Sequence, residues 1–349
     1  MAELFGADRS EARAQLMLGS QALSRNDLDE ADQYTRSGLE FYREGNYRTE
    51  ISQALSILGE IDNRRGNLDQ AEATFRELLA LGRELGNDRT VARAHYDLAS
   101  VLERRGDYPG AVSEQTAGIS LLAELGDAVS LAYARTDRSK VLSRLGRVED
   151  ARTSLEALDI DGQPERLAAQ LRPTVLLVEA RLALVAEDVE TALDRAQQAV
   201  RLAADTGDEL IGIEAMTLLA VAQARRGNAT AAVARSAEAH TRAQMLGDPV
   251  LAIMTLLAQA EARLAAGQGE AALALAVEAL DEAESREQWV QAWHAAVLAR
   301  LASSDVGDAA GVTAYKTRQD ELLNHLRAQW SDAAVDRYLR RPDIAALTT

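Results

Sequence analysis

The stretch Leu58-Gly59-Glu60-Ile61-Asp62-Asn63-Arg64-Arg65-Gly66-Asn67-Leu68-Asp69-Gln70-Ala71-Glu72-Ala73-Thr74-Phe75 decides the fold. At its centre a glycine is followed five positions later by alanine. The same pair, a Gly or turn-prone polar residue and then Ala, recurs at Asn26 and Ala31, Gly106 and Ala111, Gly146 and Ala151, Glu187 and Ala192, Gly227 and Ala232, and Gly267 and Ala272. A degenerate copy stands at Gly307 and Val312. Successive copies are 40 or 41 residues apart. Chance does not hold such a register across most of a chain, and a fixed period of this size is the signature of a repeat array.

A second turn mark keeps nearly the same period, as Gly86-Asn87, Gly126-Asp127, Gly207-Asp208 and Gly247-Asp248. Two turns per repeat predict two helices per repeat. Between the marks, Leu55, Leu58, Ile61, Leu68, Ala71, Phe75, Leu78 and Leu79 follow helical spacing. Each turn glycine reads as a helix C-cap, where φ > 0 is needed, and Arg64-Arg65, Arg104-Arg105 and Arg225-Arg226 place cations at the negative helix end. The small Ala after the turn lets the second helix press against the first. One hairpin cannot bury its apolar faces alone, so stacking is obligatory. Eight hairpins fit, over residues 10–46, 47–87, 88–127, 128–162, 163–208, 209–248, 249–288 and 289–327. A terminal helix is predicted from about Ser331 to Arg341, with Ser331 or Asp332 as N-cap and Pro342 as its stop.

Composition agrees with helices. Ala, Leu, Glu and Arg dominate, aromatics are 4% and only 5 of 349 residues are Pro. A formal charge of −17 argues against a general nucleic-acid binder, which needs clustered cations to displace counterions from phosphate. The chain has no cysteine, so disulfides and thiolate sites are excluded. No stretch approaches about 18 uninterrupted apolar residues, and the polar first residues are unlike a secretory signal, so no membrane span and a cytoplasmic location are expected.

The pattern resembles the tetratricopeptide repeat, which has a small residue in its first helix (helix A), Gly at the turn, then Ala and an aromatic in its second. Leu58-Gly59, Gly66, Leu68, Ala71 and Phe75 carry the likeness best, followed by Leu98-Ala99, Gly106, Tyr108 and Ala111. Elsewhere the turn and its Ala persist, with Ala180, Ala220 and Ala260 as the small helix-A residue. The 40-residue period is longer than the family's usual 34 and resembles arrays of bacterial maltose-regulator-type proteins and kinesin light chains. The resemblance implies an all-α, right-handed superhelical solenoid of about eight antiparallel hairpins. It also implies a protein-protein interaction scaffold, or alternatively a peptide- or ligand-responsive regulatory sensor of a bacterial signalling or transcription system. The tail Arg337-Tyr338-Leu339-Arg340-Arg341-Pro342-Asp343-Ile344 resembles the ends of bacterial signalling proteins that carry such arrays.

No phosphate-binding loop, nucleophile elbow or zinc-protease motif is present, so no catalytic residue, cofactor or metal is assigned. His95, His240, His294 and His325 lack ligand spacing. In the resembled family, helix-A side chains face the concave groove. That maps a partner groove onto Gln53, Asn63 and Arg64, then Arg93, Tyr96 and Arg104, then Tyr133, Lys140 and Arg144. Residues 47–158 hold 15 Lys+Arg against 18 Asp+Glu, so this half is relatively cationic, and a protein or peptide partner with acidic residues is expected. The alternative for Arg64, Arg104 and Arg144 is dipole complementation in the last helical turn. Farther along, the same positions are apolar, with Leu177, Val221, Met254 and Leu257 forming either core or a hydrophobic groove; core is preferred because an exposed patch is a liability.

The expected organisation is a tail at 1–9, an N-terminal lobe at 10–158, an irregular junction at 159–173 around Pro173, a C-terminal lobe at 174–327 and a terminal helix and tail at 328–349.

Overall fold

The computed structural model describes residues 2–348, with side chains from Asp8 to Leu347. Among these residues there is no strand, and eight helix pairs follow one another: α1 (Ala2–Ser24) and α2 (Leu28–Glu44), α3 (Arg48–Arg65) and α4 (Leu68–Glu84), α5 (Asp88–Arg105) and α6 (Tyr108–Glu124), α7 (Ala128–Leu145) and α8 (Val148–Glu156). They continue as α9 (Glu165–Val185) and α10 (Val189–Thr206), α11 (Glu209–Arg225) and α12 (Ala229–Leu246), α13 (Pro249–Ala265) and α14 (Gly269–Ser285), and α15 (Trp289–Asp305) and α16 (Ala309–Gln329). Two short helices, α17 (Asp332–Leu339) and α18 (Pro342–Thr348), end the chain. The eight hairpins expected from the register are all formed.

The register has a direct structural cause. All eight turn residues of the 40-residue pattern, from Asn26 to Gly307, adopt positive φ. At the first full copy, Gly66 (φ 77°) follows α3, and the Asn67 N–H returns to the Asp62 carbonyl at 2.9 Å, which closes the helix end. The alanines that follow, Ala31, Ala71, Ala111, Ala151, Ala192, Ala232 and Ala272, are 0% exposed. Val312 of the degenerate copy is only half-buried. Gly59 is equally constrained, because a Cβ there would lie 2.4 Å from the Phe75 ring. This helix-A position is small so that the helix-B aromatic can seat.

By its internal contacts the chain forms two compact units. Unit 1 comprises residues 1–104 and 113–131, and unit 2 comprises residues 105–112 and 132–349. In unit 1, Leu55, Phe75 and Leu78 pack with Ala94, Leu98 and Val101, joining α3 and α4 to α5. Unit 2 contains a cluster built largely from small residues, Ala180, Ala192, Ala196, Ala199 and Ala203 with Leu177, Leu184 and Leu218, which draws α9, α10 and α11 close together. All three Trp lie in unit 2.

Three expectations are revised. The backbone expected as a tail at 1–9 is, from Ala2, the start of α1, while Met1 and the side chains of 1–7 lie outside the described residues. The units do not part at 159–173. Ala132 of α7, Leu158 of the irregular stretch and Leu167, Leu171 and Val175 of α9 bury one another, so a packed core spans the linker-like sequence, and α9 runs unbroken through Pro173. Pro342 does not simply stop a helix. α17 ends at Leu339, and Pro342, which needs no N–H at that position, begins α18. Ser331 caps α17 as expected, its hydroxyl accepting from the Ala334 N–H.

Candidate functional site

In unit 1 the helix-A residues form a polar surface supported by buried groups. Gln53 of α3 is exposed. Asn63 is 4% exposed and donates to the Ser100 hydroxyl at 3.2 Å, tying α3 to α5. Arg64 donates to Glu60 at 2.7 Å and to the Leu23 carbonyl at 3.0 Å, so it bridges hairpins at a helix end. Arg93 of α5 places Nε 3.0 Å from both Asp97 oxygens. The Arg93 side chain is 60% exposed whereas that of Asp97 is 7% exposed. The Nε–H shared between the two carboxylate oxygens holds the guanidinium along one edge, and its other N–H groups make no hydrogen bond to Asp97. Burial pushes the Asp97 carboxyl up to about 7, against the opposing pull of Arg93. Tyr96 and Arg104 are half-buried on the same helix.

The other predicted residues belong to unit 2 and lie in a different setting. Tyr133 donates to Gln170 at 3.0 Å. Lys140 and Arg144 of α7 converge on Glu214 of α11, at 3.7 and 2.6 Å, Arg144 from seventy positions back along the chain. These cations face the interior of the unit, where a cavity of about 150 Å³ is lined by Arg144, Arg181, Glu214, Arg225, Glu261, Gln291, His294 and Arg341 among others. Of the predicted apolar set, Leu177 is core, 0% exposed in the small-residue cluster, whereas Val221, Met254 and Leu257 line the cavity.

The final helices complete the cavity wall. Trp330 packs on Tyr108 and Tyr338, and Trp293 meets Tyr338 edge-on at 5.9 Å between ring centroids. Arg341 donates to the Arg144 carbonyl and pairs with Asp343. Arg225 and Arg300 donate to the Asp343 and Leu347 carbonyls at 3.3 and 3.1 Å. A tail that reads as an appendage thus contributes Tyr338, Arg341 and Asp343 to the site.

Electrostatics inside the cavity are strong because its charges are largely withdrawn from solvent. Burial opposes ionisation of Glu214, but Lys140, Arg144 and Arg181 outweigh it and hold the carboxyl at about 2. Burial lowers Arg181 to about 10, with Arg144 and Arg341 acting in the same sense. Burial also lowers His294 to about 4, so the ring is neutral at neutral pH. Sequence reasoning missed Arg181, Glu214, Arg225, Glu261, Gln291 and His294. Each sits at a helix-A position of an apolar run, and the apolar neighbours drew the reading. The signal was a charge isolated within such a run, as at Glu214 in Leu210-Ile211-Gly212-Ile213-Glu214-Ala215-Met216-Thr217-Leu218.

Among the described residues no group of three His, Asp or Glu could hold a metal ion, and no helix is long and apolar enough to cross a membrane. Residues 50–124 match the family described as Tetratricopeptide repeat. No curated protein matches the chain. The fold is similar to that of a Rap protein crystallised in complex with Competence and Sporulation Factor, with TM-score 0.62 and 10% identity over 92% of this chain and 100% of that one. It is also similar to the apo form of RapI, with TM-score 0.51 and 11% identity over 96% and 97%. A third likeness is to a Signal Transduction ATPase with Numerous Domains from Pyrococcus horikoshii that has a tetratricopeptide repeat sensor, with TM-score 0.51 and 13% identity over 90% of this chain and 49% of that one. At these identities the likeness is one of fold.

Proposed function

We propose that this chain, a helical array of tetratricopeptide type, is a non-catalytic interaction module that holds an acidic partner segment on the helix-A face of α3 and α5. The observation that carries the reading is Arg93. Its guanidinium is held by the buried Asp97 on a side chain that is 60% exposed, so part of the entropy of ordering an arginine is already lost before a partner carboxylate arrives. Gln53, exposed on α3, and Tyr96, half-buried on α5, would add amide and aromatic contacts suited to a peptide backbone and side chains. Arg64 and Arg104 support this face at the helix ends. Similarity of fold to a Rap protein whose crystal structure contains a bound factor is in keeping with such a module.

A random peptide library selected on the intact protein, with counter-selection on Arg93→Ala, tests this. Enriched sequences are expected to be rich in Asp and Glu and to lose about tenfold in affinity on the variant, the scale of one charge-assisted hydrogen bond. Enrichment without acidic residues, or affinity indifferent to Arg93, contradicts the proposal. A second reading, a ligand-responsive sensor, is favoured by one specific observation, the charged cavity of unit 2.

A further inference from the structure

Around the unit 2 cavity each carboxylate already has its cation. Glu214 pairs with Arg144 and Lys140, Glu261 with Arg225, and Asp343 with Arg341. Arg181 is the surplus cation: it lines the cavity, makes no direct hydrogen bond or ion pair with a described residue, and feels the charge of a Glu214 that Lys140 and Arg144 already pair. The cations around the cavity therefore outnumber its carboxylates, and a guanidinium in surplus there is costly because no carboxylate is left to neutralise it fully. Two further groups point the same way. Gln291 is 5% exposed and its Oε1 has no partner, and the same is true of the buried Nε2 of His294. Both residues line the same cavity. A half-turn of the Gln291 amide presents N–H donors in place of the oxygen, and a neutral imidazole can donate from one ring nitrogen. Three polar groups with unmet demand around about 150 Å³, one of them a surplus cation, define a site for something small and negative.

We propose that the cavity of unit 2 binds a small free oxyanion, a carboxylate or a phosphate, with Arg181 as its charge partner and Gln291 and His294 as hydrogen-bond donors. The volume suits one oxyanion group with a short apolar body against Val221, Met254 and Leu257, and is too small for a peptide helix. This goes beyond the partner-segment reading, which concerns unit 1, and each can fail without the other.

The experiment is thermal unfolding of the full chain followed by tryptophan fluorescence, which reports unit 2 alone because every Trp lies there. Sodium phosphate and sodium acetate are titrated separately against sodium chloride at equal ionic strength. One of the two anions is expected to raise Tm saturably by several degrees beyond chloride, as linkage requires of a ligand that binds only the folded state. Phosphate alone, or acetate alone, identifies which chemistry the site takes. Arg181→Gln should abolish the anion-specific rise while raising Tm in chloride, since the surplus cation of the cavity has gone; Arg152→Gln, an exposed arginine of the same unit, should do neither. Arg181→Lys is the second variant, expected to bind severalfold more weakly because it keeps the charge but loses the planar fork. Equal shifts in all three salts, or anion responses undiminished in both Arg181 variants, would overturn the proposal.

Discussion

Units 1 and 2 are built from the same hairpin and use their helix-A charges in opposite ways. On the candidate face of unit 1 the ion pairs are local: Arg64 reaches Glu60 and Arg93 reaches Asp97, each four residues away on one helix, while the longer-range pairs of the unit, such as Arg48 with Glu84, involve exposed side chains. Such pairs leave the cation at the surface. In unit 2 the pairs are remote: Arg144 meets Glu214 seventy residues on, and Arg341 returns to the Arg144 carbonyl from 197 residues away. Those charges are buried, and burial makes each of them dependent on its partner. A local pair is worth a few tenths of a kcal/mol, whereas breaking a buried one costs about 3–5 kcal/mol.

The comparison breaks most sharply at Glu214. Glu214→Leu leaves Lys140, Arg144 and Arg181 facing one another, and should cost unit 2 about 3–5 kcal/mol by urea unfolding followed on tryptophan. Glu60→Leu, the corresponding loss in unit 1, should cost under about 1 kcal/mol. Equal effects would mean that the two faces do not differ.

Acid should separate the units next. His294 titrates at about 4 in the folded chain against 6.5 unfolded, so between those values the unfolded state binds more protons and stability falls as pH drops. From pH 6.5 to 5 unit 2 should lose about 2 kcal/mol, and His294→Phe should flatten that slope. Asp97 behaves in reverse. Its folded value of about 7 lies above 3.8, so the folded state keeps the proton and stability is gained as pH falls through 7. Amide exchange of α5 should slow, by about 1–2 kcal/mol, over the interval in which the tryptophan signal weakens.

Smaller effects test the shared hairpin rather than the contrast. Ala71→Leu and Ala232→Leu each place a branched side chain at a 0% exposed contact and should cost about 1–3 kcal/mol in either unit. Glu187 holds φ 60° where most other copies have Gly, so Glu187→Gly should stabilise by up to about 1 kcal/mol, read as a small rise in urea midpoint.

The same division explains which features could be read in advance. The hairpins were legible because Gly66 and its counterparts act through φ alone, and Ala71 and its counterparts through size alone, at fixed distance in the chain. The Arg93 surface was legible in part: its helix-A position could be placed, but the clamp by Asp97 depended on which face of α5 is buried. The cavity was not legible. Lys140 and Arg144 were singled out as surface donors, and they turn out to hold an interior carboxylate.

What the sequence by itself determined is the repeat: its period, its turns, its small contact residues and therefore the helical hairpin array. Those depend on backbone conformation and on neighbours within one unit of 40 residues. What only the tertiary structure decided is where the charges go. Arg181, Glu214, His294 and Arg341 stand on four different elements, and whether each meets water or another charge is set by how successive hairpins stack and where the final helices fold back. Electrostatic energy depends on distance and burial in space, and neither is encoded by separation along the chain.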